Sequence, residues 1–409
     1  VKFTHRARTT IVIAYVLFVL DVVGIIFWHE SLFVGLLFIA VATILIPFYI
    51  FVANIIAKPF YEHFKRKIRA QAEEAFHSRG KNTKVVAITG SYGKTTVKNF
   101  LLELLKYNYK VQMVPGNINS TMGISRWITD YFLEGNDILI VEMDAFAKGR
   151  IAKSAKILPP DIAIITNIGD QHIERFGTED NLRDALGELF VKAKPDAHLI
   201  FPESEEAWVN HIAKEQNQIL HEIPTNSEKI YYRGKEILDV PLSQSNKINL
   251  RFALEVADIL DIPEDYVSRI VKLLQPPERR QKVGNIFGYQ GIDDSYNISY
   301  TTALAGIREA KLQAGAQGQK LLVITAGIPE LGRDNLDKNE MLGRELAGLA
   351  DHTFLLKSIF ATDVQKGFAE EGKYSLVPDL HTAIESLRMK FSQDEWFLLQ
   401  QPELTDLYY

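Results

Sequence analysis

The stretch Val85-Val86-Ala87-Ile88-Thr89-Gly90-Ser91-Tyr92-Gly93-Lys94-Thr95-Thr96 decides the fold. Apolar and β-branched residues run into a turn bounded by Gly90 and Gly93, and residues 97–105 then read as a helix. Strand, tight loop and helix are the geometry that cradles a phosphate chain. The glycines let backbone N–H groups turn inward with no Cβ in the way. Lys94 is placed to reach the terminal phosphates and the Thr95 hydroxyl to hold Mg²⁺. Gly90, Ser91, Gly93, Lys94, Thr95 and Thr96 are therefore the candidate nucleotide-binding residues. The general pattern has four residues between its glycines, whereas this chain has two, Ser91 and Tyr92. An ordinary strand–turn–helix can carry a bare Gly-Lys-Thr. The buried-type strand before it and the helix after it favour the nucleotide.

Downstream, apolar runs alternate with helical stretches, which implies an α/β class. Residues 137–144 and 161–167 read as buried strands. The second leads into Ile168-Gly169-Asp170-Gln171-His172. In an open parallel sheet, ligands sit at the carboxyl ends of the strands. Glu142, Asp144, Asn167, Asp170 and His172 all fall there. An acid at one strand end and a histidine at the next can hold the metal that an ATP site requires, so Glu142 and His172 join Thr95 as candidate ligands. For an isolated Glu or His, a helix cap or surface group is the blander reading.

Residues 281–409 alternate again. Strands are expected at 286–292, 321–326, 352–356 and 395–399, and a helix at 301–311. Pro276-Pro277 marks a hinge just before them. Residues 327–332 read as a plain loop or as part of a lid. Closure of this last part over ATP would exclude water from a reactive intermediate.

The first eighty residues differ in kind. Residues 9–28 are apolar except for Asp21 and Gly24. His29-Glu30-Ser31 interrupts, and residues 32–57 are apolar again around Pro47 and Asn54. Each run is long enough to cross a hydrocarbon core as a helix. Lys2, His5, Arg6 and Arg8 precede the first run, and Lys58, Lys65, Arg66, Lys67 and Arg69 follow the second. Basic residues at both outer ends predict a hairpin in the cytoplasmic membrane with both ends in the cytoplasm. A cleaved signal peptide fits less well, because the run is long and no small-x-small site follows Trp28. A buried hairpin is the other rival. Residues 59–84 are charged, with apolar residues at helical spacing (Phe60, Phe64, Ile68, Ala72), and read as a juxtamembrane helix ending at Ser78-Arg79-Gly80. The chain of 409 residues carries a net charge of −5, which argues against nucleic acid as the main partner. It has no cysteine. That excludes disulfides and thiol chemistry and fits a cytosolic site for the soluble part.

Several motifs together resemble the Mur ligase family. Gly90-Ser91-Tyr92-Gly93-Lys94-Thr95-Thr96 is similar to its ATP loop, and Gly116-Asn117-Ile118-Asn119-Ser120-Thr121-Met122-Gly123 to its Asn-rich loop. Val141-Glu142-Met143 resembles the metal-binding Glu strand, and residues 167–178 the His segment. Asn246 and Asn249, opening a helix expected over 250–260, resemble the paired asparagines, Arg280 the Arg leading into the last domain, and Asp293-Asp294-Ser295-Tyr296-Asn297 the start of that domain. Glu330-Leu331-Gly332 resembles a loop of the branch that adds a dipeptide to a UDP-muramyl peptide. The motifs occur in family order over about four-fifths of the chain.

After the hairpin and juxtamembrane helix read from the apolar runs over 1–80, the resemblance implies two further parts: a parallel-sheet P-loop ATPase domain over 81–278 and a Rossmann-like C-terminal domain over 279–409. It implies an ATP-dependent, Mg²⁺-requiring ligase that joins an acid to an amine through an acyl phosphate. The expected partners are a UDP-linked muramyl peptide and an amino acid or dipeptide, with the membrane and no nucleic acid. Lys94, His172 and Arg280 would act in catalysis. Thr95, Glu142 and His172 would bind metal. Asn249, Arg280, Asp294 and Asn297 would bind nucleotide, and Asn117 and Asn119 would lie near phosphate or acyl substrate. Three departures stand out. Leu186 occupies the place of a metal-bridging lysine, leaving Glu188 or Lys192 to help. Gln400-Gln401-Pro402-Glu403 stands where a Lys-Gly-Ser loop is expected. The hairpin takes the place of a UDP-sugar domain. A ligase with another acid and amine, as in folylpolyglutamate or cyanophycin synthesis, and an ATP-binding membrane scaffold remain as alternatives.

Overall fold

The computed structural model describes residues 5–28, 32–116, 118–169, 176–213, 217–227, 229–277, 280–296, 298–329, 331, 335–369 and 372–402. The chain divides into two compact units, Val1–Glu74 and Ala75–Tyr409.

The first unit is helical. It comprises α1 (His5–Trp28), α2 (Leu32–Ile44) and most of α3 (Ile46–Arg79). Among the described residues, one helical stretch, Arg6–Trp28, is by itself long and apolar enough to cross a membrane. The second apolar run is not one straight helix. Gly35–Ile44 and Ile46–Arg79 meet at a 61° bend. Pro47 supplies the reason: it has no N–H to donate to the turn before it, and its ring crowds that turn's carbonyl. Counted as one span, the bent pair would be a second crossing. The expected juxtamembrane helix is the continuation of α3, through Pro59. Tyr49 of α3 donates its hydroxyl proton to Asp21 of α1 and meets Phe18 edge-on, with ring centroids 5.8 Å apart. Further along, the Tyr61 hydroxyl donates to the Arg6 carbonyl at 3.0 Å. These pairs set α1 and α3 antiparallel. Ile11, Tyr15, Leu20, Phe27, Phe51 and Phe60 stand exposed on this unit.

The second unit opens with β1 (Lys84–Thr89), α4 (Lys94–Leu105), β2 (Val111–Met113), α5 (Thr121–Tyr131), β3 (Ile138–Glu142), α6 (Arg150–Ile157), β4 (Ile162–Ile165), α7 (Glu179–Val191), β5 (His198–Pro202), α8 (Glu206–Ile212) and β6 (Ile219–Ile223). The six strands form a sheet of order β2-β3-β1-β4-β5-β6, with each neighbouring pair parallel. Consecutive βα units pass to one side of β1 and then to the other. The switch point, where such sheets hold ligands, thus lies at the carboxyl end of β1 between β3 and β4. A small hairpin, β7 (Ile230–Tyr232) and β8 (Lys235–Ile237), precedes α9 (Gln244–Ile259) and α10 (Glu264–Val271). α9 and α4 share one core, in which Phe100, Leu104, Phe252 and Val256 pack with Val86, Ile88 and Ile140.

A second sheet follows, built from β9 (Lys282–Ile286), β10 (Tyr289–Asp293), α11 (Tyr300–Ala316), β11 (Lys320–Thr325), α12 (Asn335–Leu349), β12 (His352–Leu356), α13 (Ala361–Lys366), β13 (Tyr374–Val377), α14 (Leu380–Lys390) and β14 (Trp396–Gln401). Its order is β13-β12-β11-β14-β10-β9, parallel except for the antiparallel β9–β10 pair. The single strand expected over 286–292 is instead a hairpin. Phe287 and Gly288 turn it with φ of 54° and 103°, the positive-φ pair of a two-residue hairpin turn. Apolar residues cover both faces of this sheet, Leu321, Val323 and Leu399 on one side and Leu322, Ile324 and Leu398 on the other.

Candidate functional site

The loop after β1 is fastened to the segment after β4. Ser91 N donates to Asn167 O at 2.8 Å, Gly169 N to Ser91 Oγ at 3.0 Å, and the Thr166 hydroxyl to Tyr92 O at 2.6 Å. Gly90 has φ +136°, and a Cβ there would lie 2.3 Å from Thr166 Oγ1. Gly93 has φ +86°, and its Cβ would lie 2.3 Å from Asn249 Oδ1. Both glycines are therefore favoured by their backbone conformation, and a side chain at either would displace its neighbour. Gly93 is the N-cap of α4 and provides no side-chain cap. The first-turn N–H groups of α4 have no acceptor within the helix, which makes this end a seat for an anion.

Lys94 is buried. Its ammonium donates to the carbonyls of Gly90 and, at 3.2 Å, Ser91, with Asp144 Oδ1 at 3.7 Å. Thr96 is buried in the same turn. Thr95 Oγ1 donates to Glu142 Oε2 at 2.9 Å. Lys98, one helical turn beyond Lys94, reaches the same oxygen at 3.3 Å and donates to Val114 O at 3.4 Å. Burial pulls the Lys98 ammonium below the usual lysine range, and the Glu142 charge opposes that shift. On the other carboxylate oxygen, Asn119 Nδ2 donates to Glu142 Oε1 at 3.3 Å. The Asn119 carbonyl accepts from Asp144 N at 3.1 Å.

Mg²⁺ takes hard oxygen donors, typically one or two protein groups plus phosphate and water. Thr95 Oγ1 and the Glu142 carboxylate are such a pair. Asn167 Oδ1, at the end of β4, is a buried acceptor without a hydrogen-bond partner among the described residues. The donor set fits the ion. No cluster of three or more acids and histidines gathers among the described residues.

The last part of the chain is tied in through α9. Asn249 Nδ2 donates to Asn246 Oδ1 at 3.4 Å, and Asn246 Nδ2 to the Arg280 carbonyl at 3.3 Å. The Arg280 guanidinium stacks over Tyr296, 4.2 Å from the ring centroid. Burial lowers its proton affinity, while Tyr296, Glu142 and Asp294 raise it. Asp294 is buried, and burial raises its pKa to about 7, against the hydrogen bonds from Gln401 and Gln281. Gln401 Nε2 donates to Asp294 Oδ2 at 3.2 Å. Ser243, whose hydroxyl oxygen caps α9, donates to Gln281 Oε1 at 2.9 Å. Gln281 thus bridges the cap of α9 to Asp294. It does so with φ +53°, a conformation that side chains other than glycine seldom take.

Of the residues named from sequence, Gly90, Ser91, Gly93, Lys94, Thr95, Thr96, Asn119, Glu142 and Asn249 come together around one loop. Arg280 and Asp294 connect to it through α9 and through charge. Asn117, Asp170, His172, Asn297, Glu330 and Gly332 lie outside the described residues. Two expectations change. Asn246 and Asn249 sit within the first turns of α9 rather than ahead of a helix that begins at 250. Glu188 does not stand free to assist a metal. Its two oxygens accept the backbone N–H groups of Gly149 and Ala152 and close the amino end of α6. Leu186 is buried in α7. Sequence reasoning missed Lys98 and Gln281. The signal for Lys98 was its position four residues after Lys94, on the same helix face.

Residues 88–255 match the family model of the Mur ligase middle domain. The chain is 28% identical over 264 residues to the UDP-N-acetylmuramoyl-tripeptide--D-alanyl-D-alanine ligase of Bacillus subtilis, covering 61% of this chain and 57% of that one. It thus spans a little over half the length of that relative. Among solved structures, a MurF of Acinetobacter baumannii superposes with a TM-score of 0.71 at 22% identity, covering 83% of this chain and 77% of that one. The MurF ligase of Thermotoga maritima in complex with ADP superposes with a TM-score of 0.71 at 23% identity, covering 83% and 80%. These superpositions establish a shared fold. The family-model match adds that residues 88–255 are similar to the middle domain of the Mur ligases, a family of ATP-dependent ligases that form C–N bonds.

Proposed function

We propose that this chain uses ATP to activate a carboxylate of a UDP-linked muramyl peptide and joins it to the amine of an amino acid or dipeptide. A carboxylate oxygen attacks the γ-phosphorus as the bond to ADP breaks. The amine nitrogen then attacks the acyl carbon, phosphate leaves, and the nitrogen gives up a proton. The observation that carries this reading is the contact of Thr95 with Glu142 at the open end of α4, at the switch point of the sheet.

Mg²⁺, when bound, offsets charge on the phosphates being transferred. Thr95 and Glu142 would hold it, with His172 serving a second ion by family resemblance. The α4 N–H groups, the Gly90–Thr96 loop and Lys94 would bind the polyphosphate. To do so, Lys94 exchanges its loop carbonyls for phosphate oxygens. Asn249 would contact the base. Arg280 and Asp294 would approach phosphate and ribose from the last part of the chain. Asn117, Asn119 and Asn297 complete the set by resemblance. Positioning and charge neutralisation supply most of the catalysis in such chemistry.

The proposed domain division is 1–80, 81–278 and 279–409, with residues 1–80 as a two-span membrane anchor and both its ends cytoplasmic. The antiparallel α1–α3 pairing and the exposed apolar side chains support the anchor. Protease protection in vesicles tests it. Catalytic parts shielded in vesicles whose cytoplasmic face points outward would contradict it.

The test of function is incubation of the purified protein with ATP, Mg²⁺, UDP-muramyl tripeptide and D-alanyl-D-alanine, followed by mass spectrometry. The expected result is the pentapeptide product, absent with Lys94→Ala. Tight Mg·ATP binding without product would favour another substrate pair or a scaffold role. Leu186, where the family has its lysine, is the specific feature on that side.

A further inference from the structure

We propose that Lys98 is a positioning residue that stands in for the metal on Glu142 and so makes entry of a divalent cation conditional on a bound nucleoside triphosphate. The inference rests on the preceding reading of Thr95 and Glu142 as the metal site. Lys98 is almost wholly buried, 1% exposed, with its ammonium 3.3 Å from Glu142 Oε2. The same oxygen accepts from Thr95, and Oε1 accepts from Asn119. A carboxylate offers about four lone-pair sites, and three protein donors already address this one. A cation arriving alone meets a carboxylate that is partnered and a buried positive charge beside it. At such separations like charges repel strongly wherever water is excluded.

A nucleoside triphosphate alters the balance. Its polyphosphate brings several negative charges to the amino end of α4, one turn from Lys98. A divalent ion then gains phosphate ligands, and the Lys98 charge gains a counter-charge beyond Glu142. Lys98 also donates to Val114 O, at the head of the segment that delivers Asn119 to Glu142. It therefore ties α4, the end of β3 and the Asn119 loop together. An ion pair serving only to pin α4 against β3 would give the same geometry, but it would leave metal affinity independent of the lysine's charge.

The test measures Mn²⁺ binding by electron paramagnetic resonance, with and without a non-hydrolysable ATP analogue, on the full chain in detergent. Wild type should bind Mn²⁺ at least tenfold more tightly with the nucleotide. Lys98→Met should tighten nucleotide-free Mn²⁺ binding about tenfold or more and erase most of that difference, while Lys98→Arg keeps it. Lys98→Gln carries the same expectation as the methionine variant if that variant fails to fold. A folded neutral variant with wild-type dependence on the nucleotide overturns the role of Lys98 and leaves the metal-site reading standing. Wild-type protein that binds no Mn²⁺ with the nucleotide overturns both.

Discussion

The side-chain oxygen of Asn249 stands 2.3 Å from the point a β-carbon on Gly93 would occupy. Helix α9 therefore reaches the turn that opens α4, and a β-carbon at position 93 would have to displace the Asn249 side chain. Gly93 also has φ +86°, so a larger residue is both strained and obstructed. Gly93→Ala should cost about 1–3 kcal/mol of stability and weaken ATP binding tenfold or more, by thermal melting and calorimetry. Unchanged binding would show that the Asn249 contact does not shape the loop.

Thr95→Val keeps the shape of the side chain and removes the hydroxyl that donates to Glu142 at 2.9 Å. Lys98 and Asn119 still address the carboxylate, so the loss of stability should stay within about 1.5–3 kcal/mol, the range for a hydrogen bond to a charged group. The Mg²⁺ concentration needed for half-maximal nucleotide binding should rise at least tenfold. A magnesium titration checks it, and an unchanged midpoint would remove Thr95 from the metal site.

Asp294 holds its proton up to about pH 7, against an ordinary value of 3.8. Between those values the folded chain binds more protons than the unfolded one, so this group's contribution makes stability fall as pH rises. Asp294→Asn is neutral throughout. Relative to wild type, it should gain on the order of a few kcal/mol between pH 4.5 and pH 8. Urea melts at the two pH values measure the difference, and parallel behaviour would place the Asp294 pKa near its ordinary value.

Gln281 spans Ser243 and Asp294 while held at φ +53°. Gln281→Ala loses the bridge and keeps the strain, whereas Gln281→Gly loses the bridge and relieves it. Alanine should destabilise by about 1–3 kcal/mol, and glycine by about 1 kcal/mol less than alanine. Equal melting temperatures for the two would show that the backbone here is unstrained.

The strand, the Gly90–Thr96 loop and the neighbouring strands were legible because buried parallel strands read as apolar runs that end in polar residues. Ile138–Glu142 and Ile162–Ile165 are such runs. Where the pattern was local, boundaries came close, as at His352–Leu356. The β9–β10 hairpin was less visible. Phe287 takes a positive φ that its type disfavours, and only Gly288 signalled the turn. The bend at Leu45 follows from Pro47, which was noted only as an exception within an apolar run. Glu188 was misread because a carboxylate that closes a distant helix end looks, in sequence, like any free acid. The link from Gly93 through Asn249 and Asn246 to Arg280 joins segments far apart in the chain, and no spacing rule reports it.

The proposed chemistry has an isotopic signature. The acyl substrate, labelled with ¹⁸O in its reacting carboxylate, is incubated with protein, ATP, Mg²⁺ and the amine, and the released phosphate is analysed by mass spectrometry. Attack of the carboxylate on the γ-phosphorus, followed by displacement by the amine, leaves one labelled oxygen in each phosphate formed alongside the amide. Amide formed with unlabelled phosphate would contradict the acyl-phosphate route.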